Sequence, residues 1–217
     1  MRWLQRLAGR RPRAPAAERR WVVLDVEASS LDAAHGRLLA IGAVGVHIDR
    51  GRAHIALADS FEVVLRQPLD TAAPDKANIL LHGIGVAAQR GGVEPAPAID
   101  AFTGYLGCAP LLGFHVAFDR TLIERTCAAL SVPPPEGPWL DLEPLAAVLL
   151  PQVKARSLDD WIAHFGIRCL QRHHAAADAL ATAELLLHLW PRLRAEEGIA
   201  VDAAIALAAQ RRWLVSR

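Results

Sequence analysis

Three runs of apolar and β-branched residues follow one another in the first third of the chain: "RWVVLDVEA" (20–28), "RLLAIGAVGVHI" (37–48) and "RAHIALADSFEVVLRQ" (52–67). Only short polar or glycine-containing connections separate them. A parallel pairing needs a long crossover, so the three runs predict an antiparallel meander. After residue 70 the pattern changes. A stretch punctuated by Pro and Gly (74–97) leads into a helix-like "APAIDAFTGYLG", a short apolar strand "PLLGFH" and a helix-like "VAFDRTLIERTCAAL". The Pro-rich "SVPPPEGP" (131–138) reads as a loop. Short helical patterns at 141–149 and 157–165 follow, then a long one from about 174 to 190 that Pro191 is expected to end. A meander followed by alternating strands and helices is an α/β arrangement.

A chain of 217 residues, 53% hydrophobic, suffices for one core. We expect a basic arm over residues 1–19, one main domain over 20–192, and a helical extension over 193–217 packed on that domain. No window approaches the roughly 18 uninterrupted apolar residues of a membrane span, and the Arg-studded start lacks the apolar centre of a secretory signal, so a cytoplasmic location is expected. The cysteines, Cys108, Cys127 and Cys169, form no CxxC pair and suggest neither a disulfide framework nor a thiolate zinc site. Net charge is +1, but residues 1–20 hold seven Arg against Glu18, a local +6 that leaves the rest at −5. An acidic body does not bind nucleic acid by bulk charge. Any such function must rest on a local site or on the arm, where Trp3, Leu4 and Leu7 are interleaved with Arg.

The run at 20–28 ends in two carboxylates. On a strand, Asp25 and Glu27 share a face, whereas Val22, Leu24 and Val26 line the other. Two adjacent like charges would cost several kcal/mol if desolvated and unpaired, so either water or a cation reaches that strand end. Taken alone, such a pair is most often a solvated strand end. Asp119 opens a helix at the head of the stripe Leu122, Ile123, Cys127 and Leu130, on the inner side. A helix-dipole role explains its place in the first turn but not its inward side. Asp178 likewise sits early in an apolar helix, in line with Leu185 and Leu189, with His173 five residues before it. Four carboxylates without a cluster of thiolates or histidines favour Mg²⁺ or Mn²⁺ over zinc. Two such ions with one base suit hydrolytic phosphoryl chemistry.

In this order, the DxE of the first strand, "GFHVAFD" with Asp119, and His173 and Asp178 followed by "ALATAELLL" resemble the DEDDh, DnaQ-like family of 3′-to-5′ exonucleases. That family includes the proofreading subunit of bacterial DNA polymerase III. The similarity covers about residues 20–190 and extends to "LLHGIGV" (80–86) and "RSLDDWIAHFGI" (156–167). It implies a ribonuclease H-like fold with a mixed five-stranded sheet flanked by helices. It further implies that Asp25, Glu27, Asp119 and Asp178 hold two Mg²⁺ or Mn²⁺ ions and that His173 is the general base. His82, Ile84 and His115 would contact the substrate. The implied substrate is the 3′ end of single-stranded DNA, in proofreading or repair, with a DNA polymerase subunit as a partner. RNA trimming is the alternative within the enzyme class. A catalytically idle nucleic-acid-binding module on the same fold is the alternative outside it, and a binder has no physical need for four converging acids.

The chain departs from the family pattern in three places. Ala28, Ser29 and Ser30 stand where Thr-Thr-Gly is common, Phe114 and His115 where His-Asn is common, and His174 directly follows the expected base.

Overall fold

The structure, a computed structural model, describes residues 19–68, 76–196 and 200–211. The expected basic arm lies almost wholly outside the described residues. The first strand, β1 (Arg20–Ala28), is followed by β2 (Leu38–Asp49) and β3 (Arg52–Val64). These pair antiparallel in sequence order and form the expected meander. Two short helices, α1 (Lys76–His82) and α2 (Val86–Gly91), lead to α3 (Pro95–Leu106). Then come β4 (Leu111–Gly113) and α4 (Ala117–Leu130), β5 (Trp139–Asp141) and α5 (Leu142–Leu149). The chain continues through α6 (Leu158–Phe165), α7 (Ala175–Glu196) and α8 (Val201–Ala208). The five strands form one mixed sheet in the order β3-β2-β1-β4-β5, with β1, β4 and β5 parallel.

Central position explains the composition of β1. On one face Trp21 and Val23 pack with Ala183, Leu186 and Trp190 of α7, and on the other Val22, Leu24 and Val26 pack with Ile99 and Phe102 of α3 and Leu122 and Ile123 of α4. A strand covered on both sides reads as a continuous apolar run, interrupted only where the covering layers part. The cover opens at its carboxyl end, on the face where Asp25 and Glu27 follow Val23. A third apolar cluster, around Trp161 of α6 with Leu185 and Leu189, packs α6 against α7. Helix α8 lays Val201, Ala204, Leu207 and Ala208 into the cluster that contains Trp21. Beyond its end, Arg211 forms an ion pair with the buried Glu143 of α5.

Three features differ from the sequence reading. Pro191 does not end α7, which continues to Glu196. The missing N–H leaves the Leu187 carbonyl without its helical donor, but Trp190 and Leu193 on either side of the proline are both buried, and their packing keeps the helix in register. Helices α1 and α2 lie in the stretch read as Pro/Gly-punctuated; they are too short to show a period, and α1 buries only His82. Strand β5 has three residues and no alternation to recognise.

Candidate active site

β1 delivers Asp25 and Glu27 to the point where the two helical layers separate. Asp178, in the first turn of α7, comes down onto the same place, and carboxylate oxygens of the three lie within 4.8 Å of one another. Asp119 approaches from the opposite layer, in the first turn of α4. It is buried, and its Oδ1 accepts a hydrogen bond of 3.0 Å from the Val26 N–H, between the two β1 acids. All four carboxylates line one cleft of about 470 Å³, with His173 on its wall.

Backbone geometry fixes His173. Its φ of 60° lies in the left-handed region, uncommon for a non-glycine residue, and its N–H donates to Asp178 Oδ2 at 3.0 Å. His115, at the end of β4, shares that conformation, with a φ of 57°. Its N–H donates to Asp141 Oδ1 at 3.0 Å, and its exposed ring meets Phe114 edge-on at the cleft rim. His174 does not line the cleft; it turns to β3, where its Nε2 lies 3.4 Å from Glu62 Oε1. Of the two adjacent histidines, the one at the expected spacing is the one in the cleft.

His82 and Ile84 are not brought to the cleft surface. Both are buried, and the Ile84 N–H donates to His82 Nδ1 at 2.9 Å. Burial lowers the imidazole pKa below its ordinary value, consistent with a neutral ring acting as acceptor. The residues of the same segment that line the cleft are Asn78 and Leu81; Asn78 Nδ2 also donates to the Ala28 carbonyl at 2.8 Å, tying α1 to the end of β1.

Arg172 was missed by sequence reasoning. Its guanidinium pairs with Asp178 and, through Nε, with Asp159 of α6 at 2.5 Å. Burial works against its charge, and the two carboxylates outweigh that effect and raise its pKa. Nothing in the sequence marks it beyond its place next to His173. Phe114, Phe118 and Arg156 complete the cleft walls.

The charges are under strain. Desolvation first, then the neighbouring Asp119, Asp178 and Glu27, push the Asp25 carboxyl well above the usual carboxylate range. Glu27 is pushed up to about 7 by desolvation and by Asp178. Burial raises Asp119 as well, against the Val26 N–H that favours its charge. Such a cluster is relieved by protons or by cations. A donor set made only of carboxylates fits hard, oxygen-seeking divalent ions.

Comparison with known proteins agrees with this geometry. The family model described as Exonuclease, of the RNase T type, matches residues 22–186. The PolC-type DNA polymerase III of Bacillus subtilis is 29% identical over 184 residues, 84% of this chain and 12% of that polymerase. Its counterpart from Halalkalibacterium halodurans is 26% identical over 174 residues, 79% of this chain and 11% of the polymerase. The chain therefore matches only a small part of the length of these relatives. Among solved structures, E. coli exonuclease I in complex with a dT13 oligonucleotide superposes with a TM-score of 0.67 at 19% identity, over 81% of this chain and 42% of that one. Exonuclease X in complex with 5′-overhanging duplex DNA gives 0.63 at 18% identity, over 87% and 99%. At these identities the structures speak for the fold, which is ribonuclease H-like. The family model, spanning both helical layers and every strand that meets at the acid cluster, carries the assignment: this chain belongs to the exonuclease family, in its DEDDh, DnaQ-like branch.

Proposed function

We propose that the protein is a metal-dependent 3′-to-5′ exonuclease that releases nucleoside monophosphates from single-stranded DNA ends by two-metal-ion hydrolysis. The observation that carries this reading is the convergence of Asp25, Glu27 and Asp178 within 4.8 Å, with Asp119 held against Val26 in the same cleft. DNA is preferred because the curated relatives are DNA polymerases and the solved neighbours hold DNA. By the same likeness, a DNA polymerase is the candidate partner.

Asp25, Glu27, Asp119 and Asp178 would hold two Mg²⁺ or Mn²⁺ ions, which when bound supply positive charge to the scissile phosphate and acidify water. The chain's own residues do the rest. His173, its backbone fixed by Asp178, accepts the proton of the attacking water at its ring. Phe114 and Phe118 offer apolar walls to the terminal nucleotide, and His115 on the rim faces its backbone. His82 and Ile84 act from beneath, holding the turn after α1 so that Asn78 and Leu81 face the same nucleotide.

The test is degradation of 5′-labelled single-stranded DNA and RNA of one sequence with Mn²⁺. A ladder shortening from the 3′ end, faster on DNA and abolished by chelator, is expected; internal cuts or shortening from the 5′ end would refute the polarity. His173→Ala should lower kcat by about 10²-fold or more with Mn²⁺ affinity retained, whereas His174→Ala should not reproduce that loss. The reverse result would move the base to His174.

A further inference from the structure

In the sheet, Asp25 of β1 stands opposite Gly42 of β2, and Gly42 stands opposite Glu62 of β3. Directly paired residues project to the same face, so the three form a cross-strand row on the face that α7 covers. One end of the row, Asp25, lies in the carboxylate cluster; the other, Glu62, approaches His174, the neighbour of His173 in the chain, at 3.4 Å. Its middle has no side chain, and the start of α7 occupies the space. A Cβ at Gly42 would stand 2.2 Å from Ala176 N, 2.3 Å from Ala175 C and 2.6 Å from Ala176 Cα. These are backbone atoms, and no rotamer change can relieve the overlap. Ala175 and Ala176 lie between His173 and Asp178, the base and the carboxylate that α7 contributes.

We infer that Gly42, assisted by the Glu62–His174 contact, is the seat that sets how closely the His173–Asp178 segment approaches Asp25, making Gly42 and Glu62 positioning residues of the cluster. The inference rests on the nuclease reading above. Carbon contacts are comfortable only at roughly 3.5–4.0 Å, so an alanine at position 42 must drive the first turn of α7 back by more than about 1 Å. Asp178 and His173 travel with that turn, whereas Asp25, on the sheet, does not. The apolar anchors of α7 further along, Leu185, Leu189 and Trp190, lie away from the overlap and keep the helix attached.

The experiment compares wild-type protein, Gly42→Ala and Glu62→Ala by Mn²⁺ binding, followed by the electron paramagnetic resonance signal of the free ion, and by single-strand degradation kinetics, with thermal unfolding recorded alongside. Gly42→Ala should remain folded, bind Mn²⁺ at least about tenfold more weakly and lose about 10²-fold in kcat, with KM for the oligonucleotide changed by less than about twofold. Glu62→Ala should weaken Mn²⁺ binding in the same direction by a smaller factor. A glycine needed only for folding would lower the unfolding temperature and leave the Mn²⁺ affinity of the folded protein unchanged; that result overturns the inference. Should Gly42→Ala fail to fold, unchanged Mn²⁺ affinity in Glu62→Ala overturns it. Failure of the wild-type protein to take up Mn²⁺ would instead refute the nuclease reading.

Discussion

Glu27 keeps its proton until about pH 7, well above the ordinary 4.5 of its side chain, and this ties metal uptake to pH. A folded-state pKa raised above the unfolded value means that the fold retains a proton the unfolded chain has released. In chelator, stability should therefore fall as pH rises from about 4.5 to about 7 and level off above. Asp25 and Asp119, raised in the same direction, reinforce that slope, and His82, lowered by burial, opposes it as pH rises toward 6.5 without matching three carboxyls. Asp59, lowered to about 2 by its bond to Arg20, acts only below this window. Unfolding temperatures in chelator between pH 4.5 and 8 check the point, and a rise across the window would contradict it; Glu27→Gln should flatten the slope. Mn²⁺ should reverse the trend, because its affinity grows as the carboxyls lose their protons. At Asp119 the two obvious substitutions should diverge. Asp119→Asn keeps an oxygen for the Val26 N–H and removes a charge, so it should abolish cleavage without loss of stability. Asp119→Ala leaves that buried N–H unpaired and should cost about 1–3 kcal/mol, read from denaturant unfolding. The four cleft carboxylates were legible as residues because acids at the inner ends of apolar elements have few other physical explanations. Arg172 was not, since one arginine in a polar loop carries no pattern, and nothing in "LLHGIG" announces that His82 turns inward to accept from Ile84.

Among the elements, the meander could be read almost to the residue, because three long strands with short connections admit few other arrangements. The short pieces could not: β5 and α1 are defined by neighbours distant in sequence, through pairing with β4 and through the Asn78 tie to Ala28. α7 shows the opposite error, a local rule overridden by packing. Pro191 is exposed, while Trp190 and Leu193 beside it are buried against β1 and α8. The helix thus tolerates one lost hydrogen bond. Pro191→Ala should restore a donor for the Leu187 carbonyl and stabilise the protein by about 1–3 kcal/mol, with cleavage unchanged. A loss of stability in denaturant unfolding would mean that the proline's shape, and not merely its tolerance, is used there.

For the molecule as a whole, the acidic body and the site belong together. Outside the first twenty residues the chain is at −5, so on the proposed function a nucleic-acid strand would gain little from general attraction, and its grip would come from the cleft and from cations held there. No helix among the described residues is long and apolar enough to cross a membrane. The sheet brings acids from β1, α4 and α7, far apart in sequence, to one edge, and it places them where both covering layers part. That convergence could be anticipated only through the order of the motifs, because no property of residue 25 alone locates residue 178. Hydrolysis at this site requires those carboxylates to act as one cation-binding unit. Titration with Mn²⁺, following the free ion by electron paramagnetic resonance in wild-type and Asp25→Asn protein, asks this directly. Two ions per wild-type chain, with binding weakened at least about tenfold in a folded Asp25→Asn, is the expected result; uptake that does not change when Asp25 loses its charge would contradict it.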